Sequence, residues 1–136
     1  MPNINLIGVL AAGIVGMVIG VLWYGPLFGK QWIRWMGFTK ETIEETKKKG
    51  MISSYALGFV GQLASAYSLA LLTAFSFQYF GGFSYSLVFW VWFGIVLPVQ
   101  MATVLWEGRS WQLFALNCAY SLAQLLVMAL VLSHFI

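Results

Sequence analysis

Four long stretches without a charged side chain dominate this sequence of 136 residues. They cover residues 4–24, 51–80, 84–106 and 110–135. Each reaches the roughly 20 residues that a helix needs to cross about 30 Å of hydrocarbon. Backbone groups in lipid must be paired within the membrane, so isolated strands are excluded. The sequence therefore predicts an all-α fold: an integral membrane four-helix bundle that forms a single transmembrane domain over residues 1–136.

The composition excludes the main classes of soluble protein. Hydrophobic residues make up 61% of the chain and charged residues 8%, whereas a soluble domain is roughly 45–50% apolar and about 25% charged. A single cysteine, Cys118, rules out a disulfide scaffold. The net charge of +3 does not indicate nucleic acid, because the basic residues flank the apolar runs. We therefore expect the lipid bilayer as a partner and no nucleic acid.

The basic side chains predict the orientation of the spans. Six of the seven lie between the first and second spans, and the seventh, Arg109, lies between the third and fourth. Because loops rich in Lys and Arg stay in the cytoplasm, we expect loops 25–50 and 106–110 there. Both termini are then expected outside.

The first of these loops contains a predicted interfacial segment at residues 27–49. Its apolar side chains recur at helical spacing on one face, at Phe28, Trp32, Trp35 and Met36. Lys30 and Arg34 face the other way. This pattern predicts a short helix lying in the interface with its apolar side toward lipid, and a loop anchored by tryptophans is the alternative. Thr39 is expected to cap a second helix that ends at Lys49.

Small residues recur every four positions in two of the spans. They are Gly8, Ala12, Gly16 and Gly20 in the first span, and Ala115, Ala119 and Ala123 in the fourth. Such rows let helix backbones approach closely in lipid. The first row predicts packing within the chain or a seam between copies. The second row lies opposite the polar face of the fourth span, so a homo-oligomer in which this row meets a second subunit is one alternative.

Polar side chains inside the spans are the candidates for contact with a substrate. They are Gln62, Gln100, Asn117, Tyr120, Ser121 and Gln124. Because polar groups in hydrocarbon are costly unless paired, these residues are expected either to line a cavity or only to hydrogen-bond across helices. In the third span, Pro98 lacks the N–H that would bond to Gly94, which predicts a kink between them.

No set of residues typical of catalysis or metal binding can be assembled from the sequence. The lone histidine, His134, lies at the tip of the fourth span without an acid and a nucleophile at its depth. Cys118, His134 and the six methionines share no ligand spacing. We therefore expect a protein that is not an enzyme and that uses no metal or cofactor.

Two blocks of residues carry a family resemblance. One leaves the first span as Trp23-Tyr24-x-Pro26-Leu27-x-Gly29-Lys30-x-Trp32. The other enters the fourth span as Glu107-Gly108-Arg109-x-Trp111-x-Leu113-Phe114-x-x-Asn117-x-x-Tyr120. Together they resemble domain-of-unknown-function family 1761, which comprises small prokaryotic membrane proteins with four predicted spans. The resemblance implies this fold and a location in a prokaryotic cytoplasmic membrane, and it implies no reaction.

Both blocks lie at the predicted cytoplasmic interface. The candidates there for interfacial or lipid contact are Trp23, Tyr24, Lys30, Trp32, Arg34, Trp35, Glu107, Arg109 and Trp111. Aromatic residues favour this depth, and cations suit lipid phosphates. For Arg109, an ion pair with Glu107 is the alternative.

Two functions are compatible with these residues. The first is a small oligomeric transport- or channel-like protein whose amides line a cavity for a small molecule. The second is a non-catalytic membrane module that binds a lipid or a partner protein through the interfacial face of tryptophans and basic residues.

Reporter fusions at Lys48 and Arg109 test the predicted orientation. Both fusions are expected to report the cytoplasm, because both positions lie in basic loops. A matched fusion at Asn3, before the first span, is expected to report the outside. Reporters that place Lys48 and Arg109 in opposite compartments would contradict four consecutive spans.

Overall fold

The computed structural model describes residues 3–82 and 85–135. Of these described residues, 86% are helical and none is in a strand. Ser84, where the third span is expected to begin, lies outside the described residues. The predicted all-α fold is confirmed.

Seven α-helices follow one another along the described residues. They are α1 (Leu6–Leu22), α2 (Gly29–Met36), α3 (Lys40–Lys49), α4 (Ile52–Phe80), α5 (Tyr85–Val91), α6 (Leu97–Leu105) and α7 (Trp111–Ser133). Two π-helical turns complete the spans: Trp23–Leu27 extends α1, and Trp92–Val96 joins α5 to α6. Four segments are then long and apolar enough to cross a membrane: Leu6–Leu27, Ile52–Phe80, Tyr85–Leu105 and Trp111–Ser133.

Side-chain caps fix where three of the helices begin. Asn5 accepts hydrogen bonds from the first backbone N–H groups of α1, and Ser110 accepts one from the backbone N–H of Leu113 in α7. At α3, Thr39 and Thr42 form a reciprocal capping box, which confirms the cap predicted for Thr39. These caps pair backbone groups that a helix end leaves without an intrahelical partner.

The core of the bundle is formed by α1, α4 and α7. Helix α1 contacts both of the others along its length, whereas the third span packs mainly on α7. In the most apolar window of the third span, 6% of the residues are buried, against 22–28% in the other three spans. The bundle is therefore uneven, with three closely packed helices and a fourth at the side.

Glycines on α1 allow this close packing. A Cβ on Gly8 would meet Phe135 at 2.8 Å, and one on Gly13 would meet Leu63 at 2.7 Å. A Cβ on Gly20 would meet the hydroxyl of Tyr120 at 3.0 Å. Larger side chains at these positions would separate the helices, so the small residues set the distance from α1 to its neighbours.

Both π turns lie close to a proline. Pro26 lies inside the first turn, and Pro98 follows the second turn at the start of α6. A proline removes one helical N–H donor and displaces the carbonyl four residues earlier, which favours a local widening of the helix. The interruption expected near Gly94 and Pro98 thus takes the form of a π turn. The one at Pro26 was not expected from the sequence.

Candidate functional site

Two glutamines and a tyrosine connect α4 to α7 inside the bundle. The side-chain amide of Gln124 donates to Oε1 of Gln62 over 2.6 Å. The amide of Gln62 in turn donates to the hydroxyl of Tyr120 over 3.2 Å. All three side chains are half-buried. The two glutamines therefore satisfy part of each other's hydrogen-bonding need in the membrane interior.

Tyr24 brings the end of the first span into the same cluster. Its hydroxyl donates to Oδ1 of Asn117 over 2.6 Å, and its ring lies edge-on to the ring of Tyr120 at 5.1 Å. Asn117 in the fourth span therefore bonds to the first span. We refer to Tyr24, Gln62, Asn117, Tyr120 and Gln124 as the polar network.

Two of the predicted polar residues do not join the polar network. Gln100 lies in α6, and its carbonyl accepts a bond from the hydroxyl of Thr103 within the same helix. The hydroxyl of Ser121 donates to the carbonyl of Asn117, also within one helix. The structure thus brings together Gln62, Asn117, Tyr120 and Gln124 and leaves Gln100 at the peripheral span.

The sequence predicts Tyr24 in the interfacial belt, whereas the structure places it in the polar network. A signal for its true position is present, because Tyr24 continues the row of small residues that runs every four positions from Gly8 to Gly20. Residues at that spacing share one helix face. The face of the first span that packs against α4 and α7 therefore ends in the phenol side chain of Tyr24.

A cavity of about 390 Å³ lies beside the polar network, between α1, α4 and α2. Its polar wall is formed by Tyr24, Gln62 and Tyr120, and aromatic rings of Trp32 and Tyr55 form another part. We call it the central cavity. Its volume is sufficient for a small organic group, and its wall is largely apolar with a few polar groups, as is usual for ligand sites.

An apolar groove lies next to the central cavity, along the outer side of α1. The groove has a volume of about 340 Å³ and includes Ile14, Val18, Leu22 and Phe59. Met17 and Val21 line both the groove and the central cavity. We call it the lateral groove, because its walls are apolar side chains on the lipid-facing surface.

The helix between the first two spans, α2, contributes Trp32 to the wall of the central cavity. The ring of Trp32 packs against Tyr24 at 5.3 Å and against Phe38 at 5.4 Å. Trp32 therefore contacts the protein interior, which differs from the lipid-facing position expected for it. Trp35 is half-buried, and Lys30 and Arg34 are exposed.

The other interfacial candidates lie away from the polar network or at its edge. Trp23 packs on Phe28 and near Tyr120, and its indole N–H is buried with no acceptor in the described residues. Glu107, Arg109 and Trp111 are exposed, and the described part of the chain contains no ion pair between Glu107 and Arg109. Their contact with lipid stays a prediction.

The second row of small residues faces outward. Ala115 and Ala119 are exposed, and Ala123 is half-buried. In contrast, Gly8, Ala12 and Gly16 are buried within the chain, and Gly20 is half-buried. The role of the alanines in an oligomer stays a prediction.

The fold and the site define a small membrane protein of four helical spans with a polar network between three of them. The family model described as "Protein of unknown function (DUF1761)" matches residues 7–133. The chain belongs to this family, which confirms the resemblance seen in its two sequence blocks. No curated protein and no solved structure matches the chain.

A double-mutant cycle tests the bond between Tyr24 and Asn117. The variants Tyr24→Phe and Asn117→Leu should show a coupling in the free energy of unfolding of about 0.6 kcal/mol, and up to about 1.7 kcal/mol, the range for such bonds in membranes. The measurement is reversible unfolding in mixed micelles. The control cycle pairs Tyr24→Phe with Gln100→Leu, for which additive effects are expected. Equal coupling in both cycles would contradict the network.

Proposed function

We propose that this protein binds a small amphiphilic molecule from the bilayer, with its head group in the central cavity and its chain in the lateral groove. The observation that carries this proposal is that the two spaces are adjacent, since Met17 and Val21 line both of them. A molecule that fills both would bury a polar end against Tyr24, Gln62 and Tyr120. Its apolar end would stay at the lipid boundary.

The position of the cavity supports this function. Trp32 and Met51 line it at the end of the bundle where the interfacial helix lies, the depth at which the head groups of amphiphiles reside. Ligand sites in membrane bundles commonly lie between helices and combine apolar walls with a few polar groups. The proposal is a form of the second function predicted from the sequence, with Trp32 in the site and the basic residues outside it.

Transport of the same molecule is a second candidate function, favoured by the third span. This span is loosely packed and has a π turn at its centre, a feature that is frequent at functional sites. It can therefore move without breaking the contacts of α1 with α4 and α7. Proteoliposomes that exchange the molecule no faster than empty liposomes would contradict transport and leave binding in place.

Filling the central cavity tests the binding function. Gly25 lines the cavity, and a Cβ at this position meets no atom within 4 Å. The variant Gly25→Leu should therefore occupy ligand space with little effect on packing. Native mass spectrometry of protein purified in mild detergent is expected to show an amphiphile retained by the wild type and largely lost by the variant.

Gly94→Leu is the matched control for this experiment. Gly94 also lies in a π turn and also has nothing within 4 Å of an added Cβ, but it does not line the cavity. The control should retain the amphiphile as the wild type does. Equal retention by all three proteins would contradict the proposed site.

A further inference from the structure

From the chemistry of the cavity wall we infer that the bound head group is a neutral ring with hydrogen-bond acceptors, of the quinone class, carrying an apolar chain. This inference rests on the proposed function, since it names the ligand of the same site. Its grounds are the charges, the hydrogen-bond donors, the aromatic rings and the groove that the structure places together.

The first ground is the absence of charge around the central cavity. All of the residues that line it are uncharged. Lys30 and Arg34, the nearest cations in sequence on α2, are exposed and do not line it. An ionised head group buried here would lack a counter-charge, which is costly in a medium of low dielectric constant. A neutral head group avoids this cost.

The second ground is an excess of donors at the polar wall. Tyr120 accepts a bond from Gln62, and no group in residues 3–82 and 85–135 accepts its own hydroxyl proton. The amide of Gln62 carries two N–H groups, of which one is used toward Tyr120. These donors favour a ligand that supplies carbonyl oxygens.

The third ground is the number of aromatic rings around the same space. Tyr24 packs with Trp32 at 5.3 Å and with Tyr120 at 5.1 Å, and Tyr55 on α4 also lines the cavity. Aromatic pairs are favourable at centroid separations of about 4.5–7 Å, so a flat ring fits such a wall. A quaternary ammonium group would also contact these rings favourably, but it would offer no acceptor to Tyr120 and Gln62.

The fourth ground is the lateral groove, which suits a long apolar chain. Ile14, Val18, Leu22 and Phe59 line it without a charged group. The chain would leave the head group past Met17 and Val21 and reach the lipid directly. A membrane quinone combines a flat ring that bears two carbonyl acceptors with such a chain, so its two parts match the two spaces.

Three probes with the same decyl chain separate the classes of head group. They are decylubiquinone, decyltrimethylammonium and decyl phosphate, titrated calorimetrically into protein in nanodiscs, with protein-free nanodiscs subtracted. We expect decylubiquinone to bind saturably and at least tenfold more tightly than the other two. Stronger binding of either charged probe would overturn the inference about the head group and leave the proposed function standing.

Matched tyrosine variants locate the binding. Tyr120→Phe keeps the ring and removes the hydroxyl, so it should weaken decylubiquinone binding about two- to tenfold, the value of one hydrogen bond. Tyr79→Phe, at an exposed tyrosine at the C-terminal end of α4, should bind like the wild type. Equal binding by both variants would overturn the inference. Gly25→Leu should also weaken binding, which keeps the test independent of how Tyr120→Phe folds.

Failure of the inference and failure of the proposed function give different results. If no probe binds saturably but Gly25→Leu still loses a co-purified amphiphile, the quinone assignment is wrong and the binding function stands. If no probe binds and Gly25→Leu retains what the wild type retains, both are wrong.

Discussion

The close approach of α1 to α4 and α7 is the constraint on which the rest of the structure depends. A Cβ on Gly16 would collide with the side chains of Gln62 and Met128, and one on Gly13 would collide with Leu63. Lipid chains are as apolar as the helix surfaces, so association relies on packing and interhelical hydrogen bonds. A wider spacing would separate Tyr24 from Asn117 and open the polar network.

The polar network links this packing to the proposed function. Gln62 and Gln124 pair with each other, which lowers the cost of placing two amides between spans. Tyr120 and Gln62 meanwhile keep donors beside the central cavity. The same side chains thus hold α4 and α7 together and place hydrogen-bonding groups at the cavity wall. In the proposed function, this dual use lets a chain with 8% charged residues bind a polar head group.

Local features of the fold could be predicted from the sequence, whereas the choice of helix neighbours could not. The length of the apolar stretches predicts the spans, and Thr39 caps α3 as predicted. Both features depend on residues that are close together in the chain. Gln100 and Asn117 look alike in the sequence, as amides within apolar spans, yet only Asn117 joins the polar network. Hydropathy does not show which helix a given face meets. Tyr24 was missed because an aromatic residue at an interface is typical of a lipid anchor.

Disulfide cross-linking in native membranes tests the packing of α1 most directly. In a Cys118→Ala background, cysteines replace Gly13 and Leu63. A Cβ added to Gly13 lies 3.7 Å from the Cα of Leu63, which is close enough for a disulfide between the two cysteines. Mild oxidation is expected to form the bond within one chain, seen as a monomer with altered mobility in a denaturing gel. A dimer as the main product, with both cysteines consumed between copies, would contradict the account, because the glycine face would then pack against another chain.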